Sequence, residues 1–252
     1  MRSFFVHNEA VALHVLESGT PSPDAPSLLV IGGLWEPAER AMPLLSGLSG
    51  HVVAMSLRGR GLSSTPESGY DLGDHLCDIA AVVEACDLRG YCVLGFSRGA
   101  SYALGWSLEH QREMRGLILV DQPPVHQKPG PGYVDFWSAL VYLGVPILNF
   151  VRRAALDGLA KEATQVDFSP RLSQLRIPVA VFTGRNACAA IPSDLPDETL
   201  QRYLQELPLY HVVEFRESGH MVPDEERPRY VAEVAAFVER CARGAVGPRD
   251  QD

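Results

Sequence analysis

Tyr91-Cys92-Val93-Leu94-Gly95-Phe96-Ser97-Arg98-Gly99 joins a short apolar run to a stretch, Ala100 to His110, whose apolar residues fall at helical spacing. The apolar run suits a buried parallel strand, and strand, Gly-x-Ser-x-Gly and helix together describe a nucleophile elbow. A turn tight enough to push the serine hydroxyl off the strand end leaves little room for Cβ atoms, which accounts for Gly95 and Gly99. The five-residue pattern alone recurs by chance; the flanking strand and helix carry the reading. Ser97 is thereby the candidate nucleophile.

Outward from this turn the chain alternates short strands with helices. Residues 3–7 and 10–17 read as a hairpin, and 27–31, 51–56, 116–120, 178–183 and 211–216 as further strands. Helical spacing covers 72–86, 199–207 and 228–243, and a helical stretch containing Pro43 runs to about Leu48. The pattern predicts an α/β fold: a mostly parallel eight-stranded sheet with helices on both faces, and sites at the carboxyl ends of the strands. From 124 to 169 the rhythm changes. Pro129-Gly130-Pro131-Gly132 is a break, and 133–143 and 147–159 read as helices rich in large apolar residues, predicting a helical lid inserted after the sixth strand. The core is then expected over 1–123 and 170–243, with a disordered tail at 244–252.

A chain of 252 residues that is 46% hydrophobic can bury one sizeable core. Its net charge of −9 and lack of a Lys/Arg cluster argue against a nucleic-acid partner. No apolar run approaches the roughly 20 residues that span a bilayer, and the first residues lack a signal peptide's apolar core, so a cytoplasmic protein with no membrane partner is expected. Five cysteines without Cys-x-x-Cys spacing indicate neither a disulfide framework nor a metal site; Cys188 is the thiol to watch.

With these landmarks the chain resembles the α/β-hydrolase superfamily along nearly its whole length. Ser97 matches the nucleophile, Gly219-His220 with Glu226 and Pro228 resembles the catalytic-histidine loop, and Arg58-Gly59-Arg60-Gly61-Leu62-Ser63 resembles the Arg-Gly-x-Gly-x-Ser turn of these enzymes. The resemblance implies acyl transfer, in which a histidine takes the serine proton, an acid orients the histidine, and backbone N–H groups hold the oxyanion. The family pattern makes the N–H donors Leu34, after Gly32-Gly33, and Arg98. A histidine often stands where this chain has Gly32.

The acid departs from the pattern. It usually follows the strand before the histidine strand, where the loop here reads Gly184-Arg185-Asn186-Ala187-Cys188, with Ala187 in the expected position. Asp121, at the tip of the strand beside the nucleophile strand, is the first substitute; Asp194, later in the loop, is the alternative acid; Asn186 or no acid remain open.

Trp35, Phe96, Phe136 and Trp137 are candidate substrate-pocket residues. The Arg98 side chain has two readings: a contact for an anionic substrate group or, as the default, a helix-start arginine reaching solvent or a nearby carboxylate. His126, at the start of the insertion, faces the pocket or, as the default, is a solvated loop residue; His51 and His75 are read as structural. The expected function is cofactor-independent hydrolysis of an ester, thioester or lactone of a mostly apolar small molecule. The alternative is a non-hydrolytic member: a cyclase or lyase using His220 for proton transfer, or a ligand-binding receptor. An apolar lid also allows a homodimer.

Overall fold

The computed structural model describes residues 1–244; of the expected tail, all but Gly244 lies outside the described residues. The strands are β1 (Arg2–Asn8), β2 (Val11–Ser18), β3 (Leu28–Ile31), β4 (Val52–Met55), β5 (Tyr91–Phe96), β6 (Met114–Val120), β7 (Val179–Gly184) and β8 (Tyr210–Phe215). They form one sheet in the order β1-β2-β4-β3-β5-β6-β7-β8. β1 pairs antiparallel with β2, and β2 antiparallel with β4; every pairing from β4 to β8 is parallel.

All six residues of β5 and all six of β7 are buried. Both faces of these strands are covered, so their sequences read as continuous apolar runs rather than alternating ones. On one face lie α2 (Leu72–Ala85), α3 (Arg98–His110) and α6 (Asp197–Glu206), supplying Ile79, Val82, Tyr102, Leu104, Leu200 and Tyr203 to one core cluster. On the other lie α1 (Met42–Gly47) and α7 (Arg227–Arg243), whose Leu44, Leu45, Val234 and Phe237 pack with Ile147, Val151 and Leu156 of the insertion after β6.

The Arg-Gly-x-Gly-x-Ser turn is held by a buried ion pair. Arg58 donates to both carboxylate oxygens of Asp78 on α2, at 2.7 and 2.6 Å, with 5% and 0% of the two residues exposed. Such a bidentate pair specifies geometry as well as energy. Gly59 carries φ +75° in this turn, and a Cβ there would come within 2.3 Å of Ala155 Cβ, which seats the turn against the lid.

The insertion after β6 begins and ends in a two-stranded neck, Val125–His126 against Val166–Asp167. Within it, α4 (Tyr133–Ala139) stops four residues earlier than the spacing predicts. Val141–Tyr142 and Val145–Pro146 instead pair as a tiny hairpin, turning through Leu143 and Gly144 at φ 49° and 80°. The second predicted helix is also broken: Ile147–Asn149 is a 3₁₀ turn, and α5 (Arg153–Glu162) starts only after the chain has paired with the body. There Val151 bridges Arg60, Gly61 N–H donates to Phe150 O at 2.7 Å, and Arg152 N–H donates to Gly59 O at 2.8 Å. Those bonds to the turn outcompete helical ones, which apolar periodicity does not register.

Among the described residues no helix is long and apolar enough to cross a membrane, and no cluster of His, Cys, Asp and Glu could hold a metal ion.

Candidate active site

The tips of β5, β6 and β7 lie side by side, with Phe96 opposite Val120 and Val120 opposite Phe182. One residue beyond, Ser97 and Asp121 turn sharply off their strands, at φ +51° and +48°. Both values fall in a region that non-glycine residues rarely occupy, and such strain collects at sites where the surroundings over-determine it. Here the surroundings are named bonds: Ser97 N–H donates to Val120 O at 2.9 Å and Asp121 N–H to Phe182 O at 2.8 Å.

The glycines of the elbow are crowded, as expected from the turn. A Cβ on Gly95 would come within 2.5 Å of Ala100 Cα, and one on Gly99 within 2.3 Å of Gly32 O. The second contact wedges the start of α3 directly against the Gly32-Gly33 loop. Gly33 itself lies against Phe96 and Ser97, since a Cβ there would meet Phe96 Cδ1 at 3.2 Å and Ser97 Cβ at 3.4 Å.

His220 lies across the gap. Its Nε2 is 2.9 Å from Ser97 Oγ and its Nδ1 is 2.7 Å from Asp121 Oδ2. Asp194 Oδ2 is 3.7 Å from the same Nδ1, and its side chain is 61% exposed, against 0% for Asp121. The hydrogen-bonded acid is therefore Asp121, and Asp194 contributes charge from the rim. Ala187 is exposed in the loop after β7.

Asp121 is saturated by donors. Its Oδ1 accepts from Ser193 Oγ at 2.6 Å, Gly184 N–H at 3.2 Å and Thr183 Oγ1 at 3.3 Å; its Oδ2 accepts from Asp194 N–H at 2.9 Å besides His220. Four donors come from one stretch, residues 183–194. The loop that lacks the usual acid thus supports a carboxylate on the neighbouring strand. It also holds the histidine, because His220 N–H donates to Ile191 O at 2.8 Å. Glu225 and Glu226 fasten the other side by accepting from Gly219 N–H and Ser218 Oγ at 2.7 and 2.8 Å.

Burial pushes the His220 imidazole toward its neutral form. The Asp121 hydrogen bond, helped by the charges of Asp194 and Glu36, overcomes that and holds its pKa above the ordinary 6.5. A histidine so placed can accept a proton from Ser97 and carry the resulting charge.

Arg98 follows Ser97 at the first turn of α3, and Leu34 lies on the glycine loop whose Gly33 is close to Ser97. First-turn N–H groups have no intrahelical acceptor, and among the described residues the Leu34 N–H has none either. The glycine loop rests on Glu36, which accepts from Gly33 N–H at 3.0 Å and continues through Arg40 to Asp224 and the lid's Tyr142. Burial pushes the Glu36 carboxyl up, and Arg40 opposes it.

The pocket candidates divide. Phe96 packs against His220 with ring centroids 5.2 Å apart, which places it at the site. Trp35 is 5% exposed and packs at a tilt against Tyr142 and Phe150, so it joins the insertion to the body. Trp137 is half-buried, whereas Phe136 is 62% exposed, edge-on to Trp137, and does not line an enclosed pocket.

One polar residue, His126, departs from the expectation of a solvated loop position. His126 is fully buried, bonded to Ser101 Oγ at 3.0 Å, and burial together with the Arg98 charge pushes its pKa down to about 3. Arg98 stays partly exposed and meets no carboxylate: it donates to Tyr102 Oη at 3.0 Å and Gln127 O at 3.0 Å and lies 3.3 Å from His126 Nε2. Glu36, Arg40, Ser193 and Asp224 were not singled out from sequence, since polar residues in loops give no sign of being buried together.

Among curated proteins, the chain is 34% identical over 173 residues to a non-heme chloroperoxidase from Streptomyces lividans, covering 53% of this chain and 63% of that protein. It is 30% identical over 117 residues to a 2-(acetamidomethylene)succinate hydrolase from Mesorhizobium japonicum, covering 45% of this chain and 40% of that protein. The match thus spans less than two thirds of either relative. Among solved structures, an esterase from Exiguobacterium antarcticum superposes with a TM-score of 0.76 at 18% identity, over 94% of this chain and 100% of that one. The family model described as the alpha/beta hydrolase family matches residues 19–234, and the chain belongs to that family.

Proposed function

We propose that this chain is a serine hydrolase that cleaves an ester, thioester or lactone bond of a small molecule through an acyl-enzyme. The observation that carries the reading is the continuous line from Ser97 Oγ to His220 Nε2 and from His220 Nδ1 to Asp121. Ser97 attacks the substrate carbonyl as His220 takes its proton; Asp121 fixes the imidazole tautomer and stabilises the imidazolium. The Leu34 and Arg98 N–H groups hold the oxyanion, and His220 returns the proton to the leaving group. The imidazole then activates a water that releases the acid. No step calls for a cofactor, a nucleic acid or a membrane.

The non-hydrolytic alternative drew its force from Ala187 and Gly32. The bond from Asp121 to His220 and the support that Glu36 gives the glycine loop favour the hydrolytic reading. The test is labelling by a fluorophosphonate probe together with turnover of p-nitrophenyl esters. Ser97→Ala is expected to abolish both, and labelling that survives the substitution would refute the assignment.

A further inference from the structure

Arg40 lies where three parts of the site meet. On the glycine loop, its Nε donates to Glu36 Oε1 at 3.4 Å, and the other oxygen of that carboxylate accepts from Gly33 N–H at 3.0 Å. On the histidine loop, its Nη2 donates to Asp224 Oδ2, in the helical turn Val222–Glu225 that follows His220. From the insertion, the Tyr142 hydroxyl donates to the same Asp224 oxygen at 2.8 Å. The guanidinium also lies over two rings, 5.3 Å from the centroid of Trp35 and 5.9 Å from that of Tyr142.

Most of this junction is out of water: 7% of the Glu36 side chain is exposed and 10% of Asp224, against 24% of Arg40. Two buried carboxylates thus share one guanidinium, whose planar fork reaches both at once, as a lysine ammonium would not. Glu36 has no other ion pair among the described residues. Without Arg40 it would be a buried charge with no cation, and it would take up a proton or turn toward water. Either change weakens its hold on Gly33 N–H.

The residue this affects is Leu34. Arg40 acts on both of its neighbours: through Glu36 it holds Gly33, one residue before, and it covers the ring of Trp35, one residue after. The Leu34 carbonyl accepts from Arg60 Nε at 2.9 Å, a fully buried side chain that meets no carboxylate among the described residues. Gly33 O accepts from Glu36 N–H at 3.2 Å. The polar groups around Leu34 are therefore committed, and its own N–H is left free for an oxyanion.

We propose that Arg40 is a positioning residue for the oxyanion donor: it fixes Leu34 N–H by holding Glu36 and Trp35 on either side of it, and Asp224 and Tyr142 hold Arg40 in turn. The seating of the insertion then enters the rate of acyl transfer rather than the binding of substrate. This rests on the acyl-transfer reading above and adds to it three side chains, Arg40, Asp224 and Tyr142, that act through Glu36 and Trp35.

A p-nitrophenyl ester and the trifluoromethyl ketone of the same acyl group test the idea. Ser97 Oγ adds to the ketone carbonyl carbon, the serine proton passes to His220, and the carbonyl oxygen becomes an anion on the oxyanion donors, as in the transition state. Arg40→Gln is expected to lower kcat by about tenfold to 10²-fold, less than the loss of a donor outright, with KM nearly unchanged. Ketone affinity should weaken by a similar factor. A loss of stability with kcat retained, a rise in KM alone, or a ketone affinity unmoved while kcat falls would overturn the proposal. Should Arg40→Gln not fold, Tyr142→Phe decides, since it removes only a hydroxyl: kcat and ketone affinity should fall together by a smaller factor, and wild-type values for both overturn the relay.

Amide hydrogen exchange separates positioning from chemistry. Gly33 N–H should exchange about tenfold faster in Arg40→Gln than in the wild-type chain, while the amides of β5 keep their rates. An unchanged Gly33 rate, or a rise shared equally with β5, overturns the proposal. A wild-type chain that takes neither the fluorophosphonate nor the ketone would instead strike the acyl-transfer reading, and Gly33 exchange would still report whether Arg40 holds the loop.

Discussion

Gly32 lies directly on Glu36: a Cβ at Gly32 would stand 2.9 Å from Glu36 Cβ, and the Glu36 carboxylate accepts the next N–H, that of Gly33, at 3.0 Å. A side chain at Gly32 would thus force Glu36, three residues along from Gly33, to shift from the loop it supports. Glu36→Ala would leave the Gly33 N–H buried without an acceptor, at a cost of roughly 1–3 kcal/mol. Because the same loop presents Leu34 N–H, kcat should also fall, by up to about 10²-fold if that donor is displaced. Urea unfolding and steady-state kinetics of the variant read the two effects separately.

The acid is tested by an asymmetry. Asp121→Asn should reduce kcat by about 10⁴-fold, the loss seen when a triad histidine is left without its carboxylate. Asp194→Asn, 3.7 Å from the imidazole and on the rim, should cost less than about tenfold, in line with the small worth of an exposed charge pair. Single-turnover rates with a p-nitrophenyl ester rank the two, and the opposite ranking would transfer the role to Asp194.

His220 must be neutral to accept the Ser97 proton, so kcat/KM should rise as pH passes up through its folded pKa. That pKa is held above the ordinary 6.5, which puts the inflection of the acid limb above pH 6.5. Asp194 raises it by charge alone, so Asp194→Asn should shift the inflection toward lower pH while leaving the plateau nearly unchanged. A pH profile of kcat/KM for both chains is the measurement; no shift would remove Asp194 from the site's electrostatics.

Arg58→Ala would strand the carboxylate of Asp78, which is 0% exposed. Breaking one side of a buried pair costs about 3–5 kcal/mol, and the turn it anchors carries the lid contacts of Gly59 and Gly61. A drop in unfolding free energy of that size is expected by urea denaturation. Replacement of both partners by apolar residues should recover part of it.

Local order accounts for much of what was legible. Strand and helix periodicity located all eight strands of the sheet, because an apolar run sandwiched by helices looks the same wherever it lies in the chain. The lid was less legible: Ile147 to Val151 has helical spacing, yet its backbone pairs with the turn at Gly59 to Gly61, a partner some ninety residues earlier in the chain.

By itself the sequence marked the elbow turn, Ser97 and His220 as candidates, because each stands in a short motif whose glycines and neighbours are needed within a few residues. Which carboxylate meets His220 was decided only in three dimensions. Asp121 and Asp194 both reach that corner, and the choice follows from sheet register, which sets Asp121 beside Ser97, and from the 183–194 loop, which spends its donors on Asp121. The charge of Arg60 was equally visible in the motif, but its burial without an anion was not. Desolvation is a property of everything folded around a residue, and no stretch of chain carries it alone.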